Sequence, residues 1–390
     1  MPTIVFTVTN ELNHDQRMQR ICHSLTKAGY QVLLVGRKKR GTKPLTDQIF
    51  IQKRLRCFTH KGAIFYVEFN IRLFLYLLFT KATILCAIDL DTILPVYFAS
   101  KMLGIKRVYD AHEYFTEQKE IIRRPKIQRI WKAIEAFAIP RFPSGYTVNN
   151  WIATSFEAQY GVTYAVIRNL PRLTRQHNNQ LKTIQRNQTT LNLNHLYTQT
   201  IDLDLTLNTQ EKFFLYQGAI NEGRSFETLL PAMKQVDCKL QIYGTGNFIN
   251  QSLSIINDEL LANKVSIFEP LIPTELKQIT PTAFAGITLF DAEGANQYHS
   301  LANRFFDYIM AGIPQICVDY PEYRAINQQF EVAFLIKNTT VETIAAGLNK
   351  LLNDPVLYKR LKLNCLEARK TLNWEQEESV LLNFYKNLIP

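Results

Sequence analysis

The chain has 390 residues, a formal net charge of +11 and a hydrophobic content of 46%. That length supplies ample core for two or three domains, and 24 Phe with 18 Tyr exclude a disordered or fibrous chain. The basic excess fits an anionic ligand, an acidic membrane face or nucleic acid, and does not choose among them.

Six cysteines, at positions 22, 57, 86, 238, 317 and 365, are scattered without Cys-x-x-Cys or metal-ligand spacing. They read as small core residues of a reducing compartment. The N-terminus, MPTIVFTVTN, has no basic start and no cleavage site, so it reads as a strand of a cytoplasmic protein. The apolar run from Leu73 to Thr80 is too short to span a bilayer, which leaves a soluble chain with room for peripheral membrane contact.

In chain order, residues 3–8 predict a buried strand, Thr9 to Asp15 a loop, 16–28 a helix stopping at Gly29, and 31–35 a second strand. Such a βαβ opening announces a parallel sheet. Its loop carries no Gly-x-Gly-x-x-Gly, so the dinucleotide fingerprint is absent. The basic cluster from Arg37 to Arg40 reads as a solvated turn, with contact to an anionic lipid or the acceptor as the alternative. A strand near 64–67, a helix near 70–80 and a strand at 83–88 are expected next. Asp89 and Asp91 come after that strand, at the end where ligands gather in open α/β sheets, or else they only shape a loop. The strand 106–109 ends in DAHEYFTE, which sets Asp110, His112, Glu113 and Glu117 at its C-terminal end. A helix over 126–138, a strand near 146–148, a helix near 150–159 and a strand at 165–167 lead to Asn169-Leu-Pro171. Residues 172–211, dominated by Asn, Gln and Thr, read as a linker with one or two weak helices.

A second domain opens with a strand at 213–216 and QGAINEGRSFETLLPAM. Gly218 and Gly223 permit close backbone approach, and Arg224 stands just before a helix. That order suits a diphosphate, although a surface arginine is the plain alternative. LQIYGTGNF brings Gly244 and Gly246, and VSIFEPLIPTEL brings Glu269 and Leu271. A strand at 285–290 and a polar loop from Asp291 to His299 precede a helix that Ser300 is expected to cap. Phe305, Phe306, Ile309 and Met310 form its apolar side, and Gly312 with Pro314 ends it. Free N–H groups at a helix start attract an anion, with Arg304 adding charge and Asp307 within reach of a ribose. A strand at 315–318, a strand at 333–336, helices at 341–352 and 355–370, and a last helix in NWEQEESVLLNFYKNL complete the chain.

The run SLANRFFDYIMAGIPQI resembles the donor-binding segment of family 4-type glycosyltransferases, the glycosyl transferases group 1 of the GT-B fold. DAHEYFTE and the glycine loops match that family's text in the same order. The resemblance implies an α/β chain of two Rossmann-like domains facing across a cleft. Residues 1–171 would form the acceptor-side domain, 172–211 a linker or insertion, 212–372 the nucleotide-sugar domain, and 373–390 a helix packing back on the first domain. The implied reaction is metal-independent transfer, with retention, from a UDP- or GDP-linked sugar to a glycan, lipid-linked or small-molecule acceptor. No other cofactor and no nucleic acid enter.

The resemblance assigns catalytic roles to His112, for which a histidine satisfied at a strand end is the plain alternative, and to Arg224. It assigns the donor to Gly218, Arg224, Gly244, Gly246, Glu269, Leu271, His299, Ser300, Leu301, Ala302, Asn303, Arg304 and Asp307. Asn13, His14, Asp15, Arg17 and Glu113 fall on the acceptor side, although His14, Asp15 and Arg17 read equally as helix-cap and surface residues. Many relatives carry two glutamates eight positions apart; here His299 takes the first position and Asp307 the second. Two alternatives stay open: a nucleotide-sugar epimerase on the same fold, and a non-catalytic basic protein binding glycan or nucleic acid. The second calls for basic residues interleaved with aromatics on one face, whereas Lys and Arg here are dispersed.

Overall fold

A computed structural model describes residues 1–389 apart from 14, 40, 43, 60–61 and 174–210. His14 and nearly all of the expected linker lie outside the described residues. The chain divides into two units. One holds residues 1–169, 294–296 and 376–390, the other 170–293 and 297–375.

The first unit runs β1 (Thr3–Thr7), α1 (Gln16–Lys27), β2 (Gln31–Lys38), β3 (Ile51–Arg56), α2 (Gly62–Leu78), β4 (Ile84–Ile88), α3 (Ile93–Leu103) and β5 (Lys106–Ala111). It continues with α4 (Lys119–Ile122), α5 (Pro125–Ala138), β6 (Gly145–Thr147), α6 (Asn150–Tyr160) and β7 (Ala165–Val166). Its strands form one parallel sheet in the order β3-β2-β1-β4-β5-β6-β7. β1 and β4 are apolar runs without alternation because helices cover both faces of a parallel sheet. In register, Val5 pairs with Leu33 on one side and Leu85 on the other.

Two expectations fail here. Residues 64–67 belong to α2, and the strand lies earlier, at β3. The run AIFYVEF is rich in the residues strands favour, and α2 is apolar on both faces, so helical periodicity is blurred. β3 is an exposed edge strand of mixed polarity, with little apolar signal to find.

The second unit runs β8 (Phe213–Gln217), α7 (Phe226–Ala232), β9 (Lys239–Tyr243), α8 (Ile249–Asp258), β10 (Val265–Phe268), α9 (Pro273–Ile279) and β11 (Ala285–Thr288). Next come α10 (Ala295–Tyr298), whose first two residues count with the first unit, α11 (Asn303–Ala311), β12 (Gln315–Val318), α12 (Pro321–Phe330), β13 (Ala333–Ile336), α13 (Val341–Asn353) and α14 (Pro355–Ala368). This sheet is also parallel, ordered β10-β9-β8-β11-β12-β13. The last helix, α15 (Trp374–Leu388), begins beside Pro171, whose carbonyl accepts the Trp374 N–H at 2.9 Å. From Gln376 onward it belongs to the first unit. There Tyr385 is fully buried, edge-on to Phe6 and Tyr146. Cys22, Cys86, Cys317 and Cys365 are buried thiols, as core residues of this size should be; Cys57 and Cys238 are half-buried.

Candidate active site

In the first unit, charged side chains collect where β1, β4 and β5 end. Asp89, the residue after β4, has φ of 55° and ψ of 173°, a backbone region nearly reserved for glycine that costs another residue about 1–3 kcal/mol. Two bonds hold it there. Its N–H donates to the Asp110 carbonyl at 2.9 Å, and its carboxylate accepts the His112 N–H at 2.8 Å. Asp110, fully buried, pairs with Arg17 at 2.9 Å and with His112 Nε2 at 3.1 Å. His112 Nδ1 stands 3.8 Å from Asp89, too far for a hydrogen bond. Asp91 accepts from the Thr9 hydroxyl.

The electrostatics arise from this packing. Burial alone would discharge His112, but Asp110 and Asp89 outweigh it and hold the imidazole above its ordinary range, at about 9. Burial likewise works to raise Asp110, yet Arg17 and His112 keep it below the usual carboxylate range. Asp89 and Asp91 are pushed up by burial, to about 8 and about 6. A cationic ring therefore sits on the Asp110 carboxylate, its Nε2 spent there and its Nδ1–H turned to the looser side, toward Asp89.

The other acceptor-side candidates are occupied by the fold. Arg17 is buried, and its second amino group donates to the Ile167 carbonyl at 2.8 Å, so it braces Asp110 from within. Asp15 caps α1, accepting the Met18 N–H at 3.0 Å. Asn13 fastens the segment after β2, donating to the Pro44 carbonyl at 2.8 Å and accepting the Thr46 N–H at 3.1 Å. Glu113 is exposed and accepts from Asn296 at 3.2 Å.

In the second unit the loops after β8 and β9 are stitched to each other. The Gly218 N–H donates to the Tyr243 carbonyl at 3.0 Å, and the Ile220 N–H to that of Thr245 at 3.0 Å. A Cβ on Gly244 would stand 1.9 Å from the Gly218 carbonyl oxygen, and one on Gly246 would stand 2.2 Å from that of Ile220. Only glycine permits this approach. Glu269 and Leu271 lie in the loop after β10, Glu269 exposed and Leu271 partly so.

Arg304 is buried at the start of α11 and spread between two rings, its guanidinium 4.5 Å from Tyr216 and 4.7 Å from Phe290. One amino group donates to the Tyr216 hydroxyl at 3.1 Å, the other to the Leu289 carbonyl at 3.3 Å. Its Nε has no acceptor among the described residues. Arg224 lies over the same Phe290 at 4.4 Å. Asp307 accepts from Gln217 at 3.0 Å, which places it beside Gly218.

Ser300 does not cap the helix. α10 occupies part of the expected loop, and α11 begins only at Asn303, with Ala302 in the capping position. The Ala302 N–H donates instead to the Tyr323 hydroxyl at 3.0 Å, which also lies 3.4 Å from the Ser300 hydroxyl. Leu301 and Ala302 are half-buried in that turn, and Asn303 is exposed. His299 is set edge-on to Tyr298, and burial lowers its pKa. Four contributors went unread in the sequence: Tyr216, Phe290, Gln217 and Tyr323. Each reads locally as an ordinary strand-end or helix residue, and no signal nearby marks it.

Comparison with known proteins bears on both units. Residues 198–367 match the model for glycosyl transferases group 1. A search of curated protein sequences finds none that matches. Among solved structures, the chain is similar to sucrose-phosphate synthase from Thermosynechococcus elongatus, with a TM-score of 0.75 at 15% identity over 100% of this chain and 99% of that one. It is also similar to Anabaena HepE in complex with UDP-glucose, with a TM-score of 0.72 at 12% identity over 99% and 100%. WaaG, a glycosyltransferase involved in lipopolysaccharide biosynthesis, gives 0.65 at 14% over 97% and 98%. These likenesses establish the fold as GT-B. With the matched segment spanning the glycine loops, both arginines and Asp307, the chain carries a glycosyl transferases group 1 domain and is a glycosyltransferase.

Proposed function

We propose that the second unit binds a nucleotide-diphosphate-sugar and that the first presents the acceptor and His112 to the transferred sugar. The observation that carries this reading is the pair of arginines on Phe290 beside the glycine loops. Two guanidinium groups held by aromatic faces next to open backbone suit a diphosphate, to which Arg offers a fork of donors. The UDP-glucose of the HepE complex supports a UDP-linked donor, with GDP as the alternative base. In transfer, the bond from the anomeric carbon to the diphosphate breaks and one to an acceptor oxygen forms, with retention; the acceptor hydroxyl's proton passes to the departing diphosphate oxygen. Arg224 and Arg304 offset the charge developing on the leaving diphosphate, the work a divalent cation does in other transferases. Asp307 takes the ribose hydroxyls. His112 donates from Nδ1 to the sugar, its other nitrogen anchored by Asp110. Acceptor classes within this reading are a glycan, a lipid-linked sugar or a small molecule, handled on the cytoplasmic side.

A thermal-shift panel of UDP, GDP, ADP and CDP with their sugars tests the donor, because a ligand of the folded state raises its stability by mass action. One nucleotide series should stand out, and nucleotide release should require added acceptor and survive EDTA. No stabilisation by any member removes the donor assignment; loss of turnover in EDTA, restored by Mg²⁺ or Mn²⁺, removes the metal-independent leaving group. Release of product without acceptor would favour an epimerase.

A further inference from the structure

The first unit carries an apolar surface that none of the transfer chemistry uses. α2 buries Phe65, Phe69, Leu73 and Leu77 against the sheet, while a second stripe, Ile64, Val67, Ile71 and Leu75, is exposed on its other side. Phe79, just after the helix, is 88% exposed. A helix that covers one sheet face needs only one apolar stripe. Phe98 and Met102 of α3 and Ile127, Ile130 and Phe137 of α5 are exposed as well. Among these three helices lies an apolar groove of about 430 Å³, lined by Tyr66, Phe74, Leu94, Phe98, Met102 and Trp131. It ends at Asn70 and Asp91, where Asn70 donates to the Asp91 carbonyl at 3.0 Å. A contiguous exposed apolar face of this kind marks an interaction site.

Charge selects the occupant. Between residues 62 and 141, nine lysines and arginines are exposed, Lys81, Lys101, Arg124, Lys126 and Arg129 among them, against two exposed carboxylates, Glu113 and Glu120. Two copies of this face brought together about a two-fold axis would set basic rim against basic rim. An anionic lipid surface answers both features, since its headgroups attract the rim and its acyl region accepts the stripe. We infer that α2, α3 and α5 form a docking face for an anionic bilayer, seated through Ile71, Leu75 and Ile130 and ringed by Lys126 and Arg129. No helix among the described residues is long and apolar enough to cross a membrane, so the contact is peripheral. The inference stands apart from the transfer reaction.

The test is co-sedimentation of the full chain with vesicles of phosphatidylcholine alone and of phosphatidylcholine with added phosphatidylglycerol. The parent should sediment with the anionic vesicles, less so at high salt. An Ile71→Ser, Leu75→Ser, Ile130→Ser variant and a Lys126→Glu, Arg129→Glu variant should each bind them roughly tenfold more weakly or worse. Thermal melting shows whether each variant is folded, and the charge variant alters only exposed side chains, so it keeps the test open if the apolar one fails. The inference is overturned if neither vesicle binds the parent, or if folded variants bind like the parent. It is equally overturned if sedimentation velocity without lipid shows a dimer that the apolar variant dissolves, for then a second copy covers the face.

Discussion

At the strand ends of the seven-stranded sheet, Asp89 and Asp110 flank one histidine, Arg17 answers Asp110, and Asp91 is held by Thr9. At those of the six-stranded sheet, three glycines keep side chains away, and two arginines rest on the face of an aromatic ring. The first arrangement spends its charges on one another and so fixes one ring in one protonation state. The second lays two guanidinium groups on one ring beside glycine loops, and Arg304 keeps its Nε without an acceptor among the described residues. One fold topology thus serves two electrostatic purposes, decided by the residues that each strand leads into.

The hardest blow to that contrast is at the histidine. His112→Ala should lower turnover about a hundredfold or more at saturating donor while calorimetric nucleotide affinity stays near the parent value. A parallel fall in both would make His112 a support of the fold, and no change in either would make it a satisfied strand-end residue. In the other unit, Asp307→Ala and Arg224→Ala should each weaken nucleotide-diphosphate binding by roughly 1.5–3 kcal/mol, the worth of a hydrogen bond to a charged group. Unchanged affinity in a folded variant takes that residue out of the site. Gly244→Ala probes the open backbone itself: a methyl 1.9 Å from the Gly218 carbonyl oxygen forces the loops apart, for about 1–3 kcal/mol of stability, read by urea unfolding.

The smallest effect is the pH dependence. An unfolded histidine releases its proton near 6.5, whereas folded His112 holds it to about 9. Through that window the folded state binds more protons, so the stabilisation is complete below about 6.5 and lost as pH rises through 9. Asp89, raised to about 8, acts in the same direction. Melting temperature should fall across this range, and His112→Gln should flatten the fall; a slope unchanged in the variant detaches it from this residue.

Much of the architecture was legible because a parallel sheet writes itself as apolar runs separated by helices of amphipathic period, as β1, α1 and β2 do. What escaped lacked that contrast. α2 is apolar on both sides and imitates a strand, and β3 is an edge with little to bury. At the sites, Gly244 and Gly246 are legible only through the family resemblance, since a lone Gly-x-Gly says little by itself; the close backbone approach that demands them belongs to the folded loops. The platform under Arg304 could not be read, since Tyr216 stands 88 residues before it and contributes a ring plus a hydroxyl that any core tyrosine owns. Neither reading of Arg17, acceptor contact or surface residue, includes its burial against Asp110, which lies 93 residues on and meets it only in the folded sheet.

The cysteines have a practical consequence. Burial hides Cys22, Cys86, Cys317 and Cys365 and pushes their thiols far above the ordinary range, so native protein offers alkylating reagents little beyond the half-buried Cys57 and Cys238, themselves raised by burial, Cys238 to about 11. Two of the silent thiols belong to one unit and two to the other. A brief pulse of iodoacetamide in rising denaturant, read peptide by peptide in a mass spectrometer, would therefore time the opening of each unit from a single unmodified sample.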